Sequence, residues 1–189
     1  MIKGMLMDTP QSGQDRYETW DDLYTYCYRV AGTVGLMVLP ILGAAPGYTE
    51  EEAKKPALAL GVALQITNIL RDVGEDAVRG RIYIPRKDME RFGVTEEQIL
   101  SYQLDNNYIR LVQFYIEKAK FYYKQAEEGI PMLAPSARLP VRVSLDMYGQ
   151  ILDKIEANGY DNFRRRAYVS KTEKLLTLPL SWWRTKTAG

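Results

Sequence analysis

Apolar positions recur at helical spacing along most of the 189-residue chain. Leu23, Cys27, Val30, Val34, Met37 and Ile41 follow one another by three or four residues. Thr19 and Asp22 precede them as an N-cap with an acid in the first turn, and Gly43 and Pro46 end the run. Thr49 and Glu52 form a second capping-box pattern, and a helix runs from there or, with Pro56 in its first turn, from near Lys55. The pattern is strongest from Ala57 to Val78, and Gly80 and Pro85 bracket a loop over Arg79–Lys87. A short helix is predicted from Thr95, with Gln98 as capping partner, and longer ones over Asp105–Glu128 and Leu139–Ala157. Ser170 and Glu173 cap a last segment that Pro179 interrupts. No segment alternates with the period of two that a half-buried strand requires, so the fold class is all-α in a single domain.

Val30–Tyr48 carries no charge and is long enough to span a bilayer. Its two prolines and four glycines fit a buried helix and its exit loop better.

Composition narrows the chemistry. The 25 Lys and Arg nearly balance the 24 Asp and Glu, so no polyanion such as nucleic acid is expected as a partner. With no histidine there is no imidazole base or imidazole metal ligand. Cys27 is the only cysteine, which excludes an internal disulfide and a thiolate cluster. Carboxylate, guanidinium, ammonium, phenol and amide groups remain, a set suited to Mg²⁺ and phosphate.

One stretch concentrates those groups. Gln65, Asn68, Asp72 and Asp76 are spaced by three, four and four, which places them within an arc of about 80° on a helix. Asp72 and Asp76 repel at one turn's separation unless a cation lies between them. Mg²⁺ takes one or two carboxylates together with substrate phosphates, and Asn68 adds a neutral oxygen. Arg71, Arg79 and Arg81 are at hand for phosphate oxygens. Toward the helix start the same stripe turns to Gly61, Leu58 and Ala57, giving a polar head and an apolar wall. The plain alternative is a solvated acid pair with salt bridges. The neighbours Ile66, Ile69, Leu70 and Val73 argue against it, because they leave little of this helix to solvent.

Asn68-Ile-Leu-Arg-Asp72-Val-Gly-Glu-Asp76, followed by Arg81-Ile-Tyr83-Ile-Pro85, resembles the second aspartate-rich signature of the squalene and phytoene synthases. Tyr26-Cys-Tyr-Arg-Val-Ala-Gly-Thr-Val-Gly35 is similar to another helix of that family, and Leu152–Leu175 is similar to its C-terminal region in plants, algae and cyanobacteria. The resemblance implies an isoprenoid synthase-like helical bundle around a central cavity. It implies Mg²⁺, with Mn²⁺ as substitute, on Asn68, Asp72 and Asp76. It implies Asp72, Asp76, Arg71, Tyr83 and Tyr148 as catalytic residues. Substrate would be bound by Tyr26, Val30, Ala31, Val34, Gly35, Leu64, Gln65, Asn68, Arg71 and Arg81. The implied reaction is head-to-head coupling of two geranylgeranyl diphosphates, through a cyclopropyl diphosphate, to phytoene.

Squalene or dehydrosqualene synthesis is the alternative chemistry, and a non-catalytic prenyl-diphosphate-binding paralogue is the non-enzymatic one. The first aspartate-rich motif of the family has no counterpart here. Met1–Glu18 reads as a short polar lead, in which Asp8 and Asp15 do not reproduce that motif, so the chain is expected to be an N-terminally truncated domain. The expected location is the plastid for a plant or alga, otherwise the cytoplasm. Arg164-Arg165-Arg166 reads as a solvated basic face. Trp182-Trp183-Arg184 is a candidate anchor for peripheral membrane contact, or else a tail packed on its own domain.

Overall fold

A computed structural model describes residues 1–9 and 15–187, and every described secondary-structure element is helical apart from one isolated bridge, Ala44 to Leu133. The helices are α1 (Ile2–Met7), α2 (Trp20–Cys27), α3 (Thr33–Leu42), α4 (Glu50–Val78), α5 (Arg86–Phe92), α6 (Glu96–Leu100), α7 (Asn106–Glu127), α8 (Pro135–Ala157) and α9 (Lys171–Thr187). A π-helical turn, Tyr28–Gly32, joins α2 to α3.

The long helix α4 is the axis of the bundle. It packs against α7, α3 and α8 and presents Val62, Ala63, Ile66, Leu70 and Val73 to the core. From α7, Tyr108, Leu111, Val112, Tyr115, Ile116 and Ala119 meet them, all essentially without exposure. Side chains alternating between large and small let the two helices approach closely. On the opposite side a Cβ added at Gly61 would lie 2.5 Å from the carbonyl oxygen of Ala31. The absence of a side chain there brings the π-turn against α4.

Both predicted capping boxes form. Thr19 accepts from the backbone of Asp22 and Thr49 from that of Glu52, and each acid reaches back to its cap. The reciprocal pairing satisfies donors that a helix start leaves free. The start of α4 is therefore Glu50, not Lys55, and the helix runs on through Pro56.

Four expectations need correction. The lead before Thr19 contains a helix, α1, whose Gly4 lies against Arg29 and Val30; residues 10–14 of that lead lie outside the described residues. Arg79–Lys87 gives way to α5 already at Arg86, a helix with no side-chain cap to signal it. Helix α8 begins at Pro135 rather than Leu139 and continues through Pro140. Pro179 does not interrupt α9, because it lies on the exposed side of a helix whose other side is fixed to α8.

Trp20–Leu42 is long and apolar enough to cross a membrane by length and composition. In the structure one side of it packs on α4, while Met37 and Ile41 are exposed at 59% and 83%. The expectation of a buried helix therefore holds for one face only.

Candidate active site

A groove of about 460 Å³ lies between α3, α4 and α8. One wall is Val30, Ala31, Val34, Gly35, Val38 and Leu39; the floor is Ala57, Leu60, Gly61 and Leu64; Pro140, Val141, Ser144 and Tyr148 close the far side. The lining is apolar except for Gln65 and Asn68 on α4 and Ser144 and Tyr148 on α8. Asp72 and Asp76 continue the stripe one and two turns further along the same helix. Asp72, Asp76 and Leu58 are not among the groove's lining residues, so the stripe meets the cavity from Ala57 and Gly61 to Gln65 and Asn68.

The electrostatics of the stripe are uneven. Arg71 donates to both carboxylate oxygens of Asp72, at 2.8 and 2.5 Å, and Arg166 donates Nε to Asp72 Oδ1 at 2.9 Å. Burial raises the pKa of Asp72, but these two guanidinium groups outweigh it and hold the carboxyl below its ordinary value. Asp76 has no such clamp. Burial first, then the charge of Asp72, push it up to about 6, although Arg79 and Arg81 pull the other way. Arg79 approaches Asp76 only at 3.8 Å.

The donor set suits a hard cation. Asn68 Oδ1 is buried without a hydrogen-bond partner, an unusual state for an amide oxygen. It lies one turn from Asp72 on a stripe of oxygen ligands, and Mg²⁺ favours such ligands. Among the described residues no group of three or more Asp, Glu, His or Cys comes together as a complete metal site. Two carboxylates and an amide therefore fit a cation that takes its remaining oxygens from a bound phosphate.

Arg166 reaches this stripe because of how its segment is docked. Asn162 is buried between α4 and α7, donating to the Leu70 carbonyl at 2.7 Å and accepting from Tyr108 Oη at 2.6 Å. Phe163 stacks on Tyr108, with centroids 4.3 Å apart. A Cβ at Gly74 would meet the Phe163 carbonyl oxygen at 2.0 Å, so glycine is what allows the segment to lie on α4. The basic run Arg164–Arg166 is accordingly not simply a solvated face: Arg166 also contacts Glu75 at 3.0 Å.

The remaining candidates fall into two places. Val30, Ala31, Val34, Gly35, Leu64, Gln65, Asn68 and Tyr148 line the groove. Tyr26, Tyr83 and Arg81 are not among its lining residues; they meet around Asp8, which composition and spacing alone passed over. Asp8 accepts from Tyr26 Oη at 3.0 Å, Tyr83 Oη at 3.0 Å and Arg81 Nη1 at 2.8 Å. The Tyr17 ring stacks on Tyr83, with centroids 5.9 Å apart. Burial raises the pKa of Tyr26 and of Tyr83, so both remain phenols at neutral pH. No local signal marked Asp8, since its partners lie 18 to 75 positions away.

Known proteins resemble the chain in sequence and in fold. The chloroplastic phytoene synthase of Daucus carota is 50% identical over 186 residues, covering 97% of this chain and 46% of the relative. The 15-cis-phytoene synthase of Synechococcus elongatus is 48% identical, covering 97% of this chain and 61% of the relative. The chain thus spans about half the length of such relatives. Among solved structures, a dehydrosqualene synthase in complex with ligand superposes with a TM-score of 0.81 at 34% identity, over 91% of this chain and 59% of that one. A squalene synthase from Alicyclobacillus acidocaldarius superposes at 0.76 and 26% identity, over 84% of this chain and 59% of that one. The squalene/phytoene synthase family model matches residues 1–173, and the chain belongs to that family.

Proposed function

We propose that this chain carries the second diphosphate-and-metal half of a prenyltransferase that couples two geranylgeranyl diphosphates head to head to phytoene. The observation that supports it most is the continuity of the α4 stripe: Asn68 lies in the apolar groove, and Asp72 and Asp76 follow it in register. An isoprenoid diphosphate has that same polarity, charged at one end and hydrocarbon along its length. Identities of 50% and 48% to phytoene synthases favour the C20 substrate over the C15 alternative.

Each group then has a task. Asn68, Asp72 and Asp76 would hold Mg²⁺, or Mn²⁺ in its place. Mg²⁺ bound there would supply Lewis-acid neutralisation of the departing diphosphate. Arg71 and Arg166 lie beside Asp72 and are suited to bind diphosphate oxygens in a bidentate manner. Val34, Gly35, Leu60 and Leu64 hold the chain of the substrate and exclude water from the allylic cation. Tyr148 lines the same groove as Asn68, where its ring or hydroxyl can steady positive charge. Tyr83, held by Asp8 and Arg81, keeps its proton and is placed to orient rather than to ionise. The plastid location in the names of the plant relatives is carried over as part of the same reading. Peripheral membrane contact is too, since a C40 hydrocarbon product partitions into lipid.

A chimera tests the activity. The portion of the carrot relative that this chain does not span is joined to it and supplied with C20 or C15 diphosphate and Mg²⁺. Phytoene from the C20 substrate is the expected product. A product from the C15 substrate only, or none from a folded chimera, contradicts the assignment.

A further inference from the structure

The groove ends in a wall far from Asn68. A Cβ added at Gly35 would lie 2.5 Å from the carbonyl oxygen of Ala57, and one at Gly61 would lie 2.5 Å from that of Ala31. Helix α3 therefore runs antiparallel to α4, and its last turn, with Leu39 and Leu42, lies beyond Ala57. There Leu39, Ala53, Leu133 and Ala137 form a small core separate from the main one, and Leu42 packs against it. Leu39, Leu42 and Leu133 also line the groove, so this core is its end. Backbone bonds hold it shut: Ala134 N donates to the Gly43 carbonyl at 2.9 Å, and Ala45 N to the Met132 carbonyl at 2.8 Å. Arg138 adds Nε to the Leu133 carbonyl at 3.0 Å and Nη2 to the Pro131 carbonyl at 2.8 Å. A wall built in this way does not retreat to admit a longer ligand.

Helix α4 is a ruler along the groove. At about 1.5 Å per residue, Asn68 lies about 16 Å from Ala57 and about 22 Å from Ala53. An extended isoprenoid advances about 5 Å per C5 unit, at about 1.5 Å per bond. A C20 tail is thus about 20 Å long and a C15 tail about 15 Å. With its first carbon beside Asn68, a C20 tail ends between Ala57 and Ala53, against the wall. A C15 tail stops level with Ala57, one unit short.

We propose that Leu39, Leu42 and Leu133 form a tail stop that selects a C20 over a C15 allylic diphosphate. The last C5 unit of the C20 chain is buried against them, whereas a C15 chain leaves that apolar space unfilled. A C25 chain meets the wall before its tail is accommodated. The proposal rests on the groove taking a prenyl diphosphate, as set out above, and names the residues that set its length.

Calorimetric titration of the full chain with the C15, C20 and C25 allylic thiolodiphosphates, each with Mg²⁺, tests it. The C20 compound is expected to bind at least about tenfold more tightly than the C15 compound, and the C25 compound more weakly than the C20. Leu42→Trp fills the end of the groove from a half-buried position, and circular dichroism checks its fold. The C20-to-C15 preference is expected to fall about tenfold in that variant. Should it not fold, the comparison of C25 with C20 in the unaltered chain still decides. Equal, Mg²⁺-dependent binding of C15 and C20 overturns the tail stop and leaves the groove's proposed function standing. C25 binding as tight as C20, or an unchanged preference in folded Leu42→Trp, overturns it in the same way. If none of the three binds, the groove's function itself fails, and the tail stop with it.

Discussion

Arg166 donates Nε to Asp72 Oδ1 at 2.9 Å across 94 positions of sequence, on a carboxylate that Arg71 already holds. Without a metal, two guanidinium groups neutralise the first acid of the stripe. A cation must compete with them, whereas a phosphate could take them over. R166Q therefore changes two affinities in opposite directions. With Arg166 half exposed, its pair with Asp72 is worth about 1 kcal/mol or less, so Mn²⁺ binding tightens by up to about fivefold. Inorganic pyrophosphate binding weakens. Manganese titration by electron paramagnetic resonance and pyrophosphate calorimetry read the pair; changes of the same sign contradict the competition.

Asp8 is the common acceptor of Tyr26, Tyr83 and Arg81. Its side chain is about a third exposed, so water replaces part of what is lost when it is removed. Asp8→Ala is expected to cost about 1–2 kcal/mol in urea unfolding, more than Tyr83→Phe, which leaves Asp8 with two donors. Equal stability of Asp8→Ala and the unaltered chain would show that the cluster does not hold the N-terminal segment in place.

Gly74 sits where Phe163 crosses α4, with no room for a Cβ. Gly74→Ala is expected to destabilise by about 1–3 kcal/mol, because backbone rather than a flexible side chain must move. It should also weaken pyrophosphate binding, since the same segment carries Arg166. Gly149→Ala, in the interior of α8 with nothing within 4 Å, serves as the control and stabilises by about 0.5–1 kcal/mol. Equal effects of the two substitutions would contradict the packing argument.

Glu96 ties the N-terminal segment to α6. Arg16 Nε donates to it at 2.8 Å and Arg86 Nε at 3.0 Å, and Arg16 also bonds the Gly80 carbonyl at 2.7 Å. Burial raises the pKa of Glu96, but the two arginines outweigh it and leave it below its ordinary 4.5. A depressed carboxyl contributes stability above its unfolded pKa and loses it as pH falls through the folded value. Glu96→Gln is therefore expected to be less stable than the unaltered chain at neutral pH by about 1 kcal/mol or less, the pairs being partly solvated. The difference vanishes once pH falls below the folded value. Urea unfolding across that range checks it, and a difference independent of pH contradicts it.

What the sequence revealed is local in origin. Capping boxes at Thr19 and Thr49 act over three residues, and the stripe from Gln65 to Asp76 follows from 3.6 residues per turn. The groove was legible on its α4 side, because the apolar continuation of that stripe lies on the same helix. Asp8 and Arg166 were hidden, since only tertiary packing brings them to Tyr83 and Asp72. Helix α5 was hidden for a different reason: Pro85 starts it without a side-chain cap. Pro179 misled because a proline's cost to a helix depends on what fixes the opposite face, and here Thr177 and Ser181 are bound to α8.

The central claim is that the α4 stripe binds a diphosphate through a divalent cation while the groove takes the hydrocarbon tail. Calorimetric titration of the chain with geranylgeranyl thiolodiphosphate, with and without Mg²⁺, tests it most directly. The account predicts binding that requires Mg²⁺ and weakens at least about tenfold in Asp76→Asn, as loss of one of two carboxylate ligands should produce. Binding that is equally tight without the metal, or unchanged in Asp76→Asn, would contradict it.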